Sequence, residues 1–593
     1  MAVYQAPIRD MRFVLHELMS VEDLAKLEGY EDATPDLIDA VLEEAGKVTE
    51  NVLFPLNRSG DEEGCVYENG VVRTPSGFKE AYSAFVEGGW PSLNCDPAFG
   101  GQGLPHTVSL MVSEMICSAN LSFGMYPGLS HGAYSALAKY GTDELKETYL
   151  PKLVDGTWSG TMCLTEPHCG TDLGLCRTKA EPLEDGSYDI TGTKIFISAG
   201  EHDLTDNILH LVLARTPDAP KGIKGISLFL VPKFLPNPDG TPGARNGVMC
   251  GAIEHKMGIK ASSTCVMNFD GAKGWLVGSL NKGMRAMFTM MNEARLLVGI
   301  QGLGLGSVSY QGAVAYAKER TQGRSLSGVK HPDKSADPII VHPDVRRMLL
   351  TQRAYAEGCR ALGAWVAKEL DISHKHSDAA RREEADDFVQ LMTPIVKALF
   401  TDMGYESANI GMQVLGGHGF IREHGMEQYV RDCRIAQIYE GTNGIQALDL
   451  IGRKLPAHAG RYLRRFFHPV QSYIEANIAD ERLAEFVQPL AKAFVRLQQA
   501  TAALAQKGMS NQEEAASTAT DYLRLFGLVA MSYMWCKAAT VALDKLDEDK
   551  AFYQAKLDTA RFFTAKILPQ TGALFSTLMA GGDTLMAMDE DAF

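Results

Sequence analysis

The chain has 593 residues, 45% of them hydrophobic and 22% charged, the make-up of an ordinary globular protein too long for a single core. Its formal net charge of -16 disfavours a nucleic-acid backbone as the main partner, while leaving room for a local basic pocket that holds a small anion such as a nucleotide pyrophosphate. The 11 cysteines are scattered, Cys163 and Cys169 being the nearest pair, so no CxxC metal or redox motif exists and reduced thiols in a cytoplasmic protein are expected.

Arg9, Asp10 and Arg12 precede any apolar run, which is not the charged-then-apolar layout of a secretory signal. Up to about residue 158, apolar residues recur at helical spacing, as in Leu37, Ile38, Val41 and Leu42, or Leu110, Met111, Met115 and Ile116, with little strand alternation. Residues 1–158 are therefore expected to form a helical domain with an N-terminal extension. From Gly160 the pattern becomes β-rich. Asp185-Gly186 is a hairpin dipeptide leading into Tyr188 and Ile190, and Gly225 to Val231 is a short apolar run before Pro232. An antiparallel β-domain over 159–283 is expected, with residues 237–246 as a surface loop between strands. Helical spacing returns through Leu350, Trp365, Ile395 and Met412, predicting a four-helix-type bundle over 284–456 interrupted by a loop at 323–337. Gly452, Pro456 and Gly460 mark a boundary, and 457–593 reads as an additional helical domain or an oligomerisation element. Its most apolar stretch, Leu525 to Trp535 between Arg524 and Lys537, falls short of the ~20 residues a membrane span needs. Arg461, Arg464 and Arg465 beside Phe466 and Phe467 could coat a membrane surface, although such clusters are more often domain contacts.

The fold class is thus α+β and multidomain: helical, then β, then a helical bundle, then extra C-terminal helices. That order excludes a doubly wound dinucleotide fold, in which strands and helices alternate. Gly302, Gly304 and Gly306 lack GxGxxG spacing and suit close helix packing, and no phosphate-cradling P-loop exists. In Tyr439-Glu440-Gly441-Thr442, a carboxylate at a helix-breaking glycine can face a substrate while backbone N–H groups point at a carbonyl oxygen. Alone, the same step is an ordinary helix end.

Four ordered segments change that reading: Met162 to Pro167 with Gly170-Thr171-Asp172; Lys194 to Ser198; Gln413 to Phe420; and Gln437 to Thr442. Together they resemble the acyl-CoA dehydrogenase family of flavoproteins over roughly residues 40–455. The extra ends and the insertions at 237–246 and 330–343 resemble its longer bacterial members, 3-methylmercaptopropionyl-CoA and large fatty acyl-CoA dehydrogenases among them. The resemblance implies FAD-dependent α,β-dehydrogenation of an acyl-CoA thioester, with Glu440 as base and burial expected to raise its pKa. Some members carry the base immediately before the arginine of the helix that reads Asn292-Glu293-Ala294-Arg295 here; that position is Ala294, and Glu293 would point about 100° away.

By the same resemblance Leu164 and Thr165 meet the flavin's pyrimidine edge, and Phe196 and Ser198 flank its ring, Phe196 standing where many relatives have tryptophan. Arg320 and Gln322 reach the FAD pyrophosphate of a neighbouring subunit, Gln413, Gly416 and Gly417 line the same cofactor, and Thr442 and Asn443 touch FAD beside the base. Thr171 and Arg295 approach the CoA portion, and Gly441 lets the acyl chain pass; no metal is implied. Partners implied are acyl-CoA, an electron-transfer flavoprotein as acceptor and a second copy of the chain in a homodimer. The competing readings are an acyl-CoA oxidase and a DNA-associated relative, the latter opposed by the acidic C-terminal segment ending Asp589-Glu590-Asp591.

Overall fold

A computed structural model describes residues 3–593 and divides them into two compact units that do not follow chain order. One unit takes the N-terminus to Gly46, residues 105–118 and everything from Val298 onward; the other takes 47–104 and 119–297.

The second unit is organised by a seven-stranded sheet of β3 (Trp158–Cys163), β4 (Lys179–Pro182), β5 (Tyr188–Ser198), β6 (Asn207–Ala214), β7 (Ser227–Pro232), β10 (Val248–Ile253) and β11 (Thr264–Val277). The order is β3-β6-β7-β11-β5-β4, with β10 also on β11. The expectation of a purely antiparallel sheet is corrected at one place, because β3 and β6 run parallel, Trp158 opposite Asn207 through Cys163 opposite Val212. A parallel pair needs a long crossover, and residues 164–206 supply one by carrying β4 and β5 across the sheet first. Every residue of β6 and β7 is buried, which explains why these strands read as continuous apolar runs instead of alternating.

Two small hairpins were hidden in the sequence pattern. Val66–Glu68 (β1) pairs with Val71–Arg73 (β2) across Asn69-Gly70, both with positive φ, as a tight hairpin turn requires. The stretch around 237–246 is not simply a loop: Phe234–Pro236 (β8) pairs with Pro242–Arg245 (β9).

The first unit is helical. Its long helices are Pro343–Lys375 and Ala379–Leu415, followed by Arg461–Asn477, Ala484–Ser510, Ala519–Asp544 and Lys550–Phe562. Gly302 and Gly404 pack backbone to backbone, and a Cβ on Gly302 would lie 2.5 Å from the Phe400 carbonyl oxygen. A Cβ on Gly304 would meet Cys117 and Ser118 at 2.9 Å, so this glycine cluster is the close-packing device its spacing suggested. Arg524 and Lys537 do not end the apolar C-terminal helix, which runs continuously through Ala519–Asp544. It and His106–Tyr140 are long and apolar enough to cross a bilayer, but 83% of each apolar window is buried inside the protein, as in core helices.

The Arg461 cluster is spent internally. Arg461 and Arg465 pair with Asp387, Arg465 also with Glu384 at 2.9 Å, and Phe466 is fully buried against Trp365 and Phe526. Arg464 is exposed and donates to the Ala459 carbonyl at 3.1 Å.

Candidate active site

Within the helical unit, Glu440 occupies a short connection between a turn at Ile435–Gln437 and the helix Asn443–Asp449. Glu440 has φ +57° and Gly441 φ +82°, so two successive residues are left-handed. Glycine takes that conformation freely and glutamate does not, so the loop must be held from outside. The hold comes from one face of the Ala379–Leu415 helix. Lys397 Nζ donates to the Gly441 carbonyl at 2.9 Å and to Asn443 Oδ1 at 2.8 Å. Asn443 Nδ2 donates to Asp402 Oδ1 at 2.7 Å and to Thr401 Oγ1 at 3.0 Å, and Gln437 Nε2 donates to Asp402 Oδ1 at 2.6 Å. Gln446, fully buried, donates to the Glu440 carbonyl at 3.1 Å. Tyr439 OH donates to Gln301 Oε1. The Glu440 side chain itself is half-buried, and Thr442 is exposed.

The Asn443 side-chain amide is engaged on both ends with this helix and serves as a strut for the loop. Lys397, Asp402 and Gln446 were missed. A lysine inside the apolar run Ile395-Val396-Lys397-Ala398-Leu399-Phe400 was the available signal, since a buried ammonium needs a purpose.

The same unit holds an open cleft of about 670 Å3 lined by Tyr316, Arg320, Gln322, Gln413, Gly416, Gly417 and His418 among others. It brings together Arg320, Gln322, Gln413, Gly416 and Gly417, five of the eleven residues that the resemblance assigned to FAD. Arg320 and Gln322 are exposed and their backbone is tied down: Ile339 N–H donates to the Arg320 carbonyl at 2.7 Å, and Gln322 N–H to Asp337 at 3.0 Å. The buried Asp337 carboxylate collects N–H groups from Ser325, His331 and Lys330, which with Arg324 hold it down at about 2. Gly416 has φ +59°, and a Cβ on Gly416 or Gly417 would meet nothing within 4 Å, so this wall is open for close approach of a ligand. His418 Nδ1 and Tyr316 OH lie 2.7 Å apart at its edge.

In the sheet-bearing unit, Leu164 and Thr165 follow β3, and both carbonyls are used: Lys194 Nζ donates to Leu164 O at 3.0 Å and Ile195 N–H to Thr165 O at 2.9 Å. Lys194 is fully buried and paired with Glu166 at 2.8 Å. Burial alone would raise the Glu166 carboxyl, but Lys194, Thr178 and Cys176 hold it down at about 2. Glu166, His168 and Cys169 gather within 4.8 Å of one another, yet the cation there is already the Lys194 ammonium.

Phe196 sits at a register shift between β5 and β11, with φ +59° and 60% exposure. The bulge turns its ring out of the core toward solvent, which removes plain core packing as its role. Ser198, at the end of β5 opposite Thr264, is half-buried. Thr171 is exposed in the loop after β3, and Arg295 is buried, its guanidinium 5.9 Å from the Phe288 ring centroid. Glu293 accepts a hydrogen bond from Ser135 Oγ at 2.6 Å, and burial pushes its carboxyl up to about 7 against the opposing pull of Ser135 and Lys139.

Family models cover nearly the whole chain: acyl-CoA dehydrogenase N-terminal domain at 39–157, middle domain at 161–272, C-terminal domain at 281–455, and an acetyl-CoA dehydrogenase C-terminal-like segment at 466–589. A 3-methylmercaptopropionyl-CoA dehydrogenase of Ruegeria pomeroyi is 42% identical over 98% of this chain and 99% of its own. A butyryl-CoA dehydrogenase of Syntrophomonas wolfei is 36% identical over 100% and 99%, and the broad-specificity linear acyl-CoA dehydrogenase FadE5 of Mycobacterium tuberculosis 35% over the full length of both. In fold, Caenorhabditis elegans ACDH-11, solved with C11-CoA, superposes with a TM-score of 0.77 at 19% identity, covering 95% of this chain and 92% of that one. The chain belongs to the acyl-CoA dehydrogenase family, FAD-dependent oxidoreductases acting on acyl-CoA thioesters.

Proposed function

We propose that this enzyme converts a short linear acyl-CoA to its trans-2-enoyl-CoA, Glu440 taking the α-proton while the β-hydrogen leaves as hydride. The observation that carries the reading is the strained, externally pinned Glu440-Gly441 step, since backbone strain of this kind persists where a side chain must be aimed. Bound FAD supplies the hydride acceptor. The open glycine wall with Arg320 fits a diphosphate, and the outward Phe196 ring fits a flat cofactor surface. Leu164, Thr165, Phe196 and Ser198 are assigned to the flavin end, and Arg320, Gln322, Gln413, Gly416 and Gly417 to the pyrophosphate end. Thr442 and Asn443 are assigned beside the flavin, and Thr171, Arg295 and Gly441 to acyl-CoA. The backbone N–H of Glu440 is assigned to the thioester oxygen.

The names of the full-length relatives support a short straight chain, with 3-methylmercaptopropionyl-CoA the first to try. An electron-transfer flavoprotein is the proposed acceptor, and a homodimer the proposed assembly. Exposed Phe420 and Ile421 beside the cleft support a partner surface there.

An anaerobic bleaching screen against short, long, aromatic and methylthio-substituted thioesters tests the substrate class. Glu440→Gln is expected to keep FAD and thioester binding while bleaching slows by ~10²–10⁴-fold. Normal bleaching in that variant removes Glu440 as base, and fast peroxide release on reoxidation in air makes the protein an oxidase.

A further inference from the structure

We propose that Lys397 is a positioning residue that sets the rate of proton abstraction by locking the left-handed conformation of Glu440. This rests on Glu440 being the base. Lys397 has no solvent exposure, and a buried ammonium is expensive unless bonded, so a helix built only for packing would carry an apolar residue there. Its bonds go to the Gly441 carbonyl and Asn443 Oδ1, one and three residues beyond Glu440. Gln446 holds the preceding carbonyl, that of Glu440, at 3.1 Å and reaches Gly441 O only at 3.4 Å. The two side chains thus hold the two successive carbonyls that flank the Gly441 Cα, the first of them in the peptide plane that leaves Glu440, and so limit how far the Glu440 backbone can turn. Without the ammonium, the Gly441 carbonyl keeps only the long Gln446 contact and Asn443 Oδ1 keeps the long contact from Thr401 Oγ1 at 3.4 Å. Glu440 is then free to relax toward the right-handed region that glutamate prefers. The consequence is a slower chemical step with ligand binding intact, because neither Lys397 nor Gln446 lines the cleft assigned to the cofactor pyrophosphate.

The test compares wild type, Lys397→Met, Lys397→Arg, Gln446→Leu and Glu440→Gln as FAD-loaded proteins. FAD content, the dissociation constant of the enoyl-CoA product and the rate constant of anaerobic flavin reduction are measured. Lys397→Met is expected to keep its FAD and bind product within about threefold of wild type, while reduction slows by roughly 10–100-fold, as misplacement of a reacting group does. Lys397→Arg should recover part of the rate. Reduction within twofold of wild type, or FAD and product binding falling together with the rate, overturns the proposal. If Lys397→Met does not fold, Gln446→Leu decides by the same criterion. Glu440→Gln separates the two readings: if it still reduces normally the base is wrong, whereas if it is inert and Lys397→Met is normal, only the positioning role fails.

Discussion

Glu293 stands one residue from a position where some relatives carry their base, and its surroundings give it a different character. Burial pushes its carboxyl up to about 7, above the ~4.3 of an exposed glutamate. A folded-state pKa raised in this way makes the protonated form the favoured one, so its contribution to stability is fully present below about 4.3 and is lost as pH rises through 7. Glu293→Gln is therefore expected to raise the melting temperature at pH 8, by roughly 1–3 kcal/mol of stability, and to change little at pH 4.5. Thermal unfolding at the two pH values checks this; equal effects at both would mean that His131, whose Nε2 lies 3.8 Å from the carboxylate, keeps it ionised. At this scale the Glu440-Gly441 step was legible as a break before a helix, and its reading as a base came from the resemblance of four ordered segments. The sequence concealed Lys397, whose two bonds span 44 and 46 residues, and the bonds of Asn443 to another helix.

Among elements, the N-terminal helix Ile8–Arg12 is locked to the C-terminal helix Lys550–Phe562 and to Pro343–Lys375 by a buried charge network. Asp10 bonds both Lys556 and Arg360, Arg360 also bonds Glu114, and Lys556 reaches Glu357 at 2.7 Å. Phe13 adds an edge-on ring contact to Phe552 at 5.5 Å. Burial works against the Asp10 carboxylate, and its two cations overcome that and hold its pKa down. Asp10→Ala leaves two buried cations short of a partner, which commonly costs about 3–5 kcal/mol, so the melting temperature should fall by several degrees. A variant as stable as wild type would show that the network is electrically redundant. Helical spacing announced helical regions around these elements, though not the short Ile8–Arg12 helix itself. Their pairing was illegible, because a heptad-like pattern states which face is buried and not against what. Likewise the β-rich pattern from Gly160 onward announced strands but not the parallel direction of β3 and β6, which the crossover sets.

For the whole molecule, the open cleft proposed for the cofactor pyrophosphate, with exposed Ile421 in its lining, suits completion by a second copy. Sedimentation is expected to give twice the 64.6 kDa chain mass. Arg320→Ala should weaken FAD retention roughly 10–100-fold, since a charge-assisted bond to phosphate is worth about 1.5–3 kcal/mol, with FAD lost further on dilution if two copies share the site. Fluorimetric FAD titration across protein concentrations measures both effects. The succession of helical, β and helical segments, and the carboxylate at the glycine step, were determined by the sequence by itself, because periodicity and turn chemistry are local properties of a chain. The joining of residues near the start to helices near the end, the parallel strand pair and the Lys397 ammonium bonded to the Gly441 carbonyl were decided only in the tertiary structure. Each depends on which charges and carbonyls are removed from water together, and that is set by contacts between residues far apart in the chain.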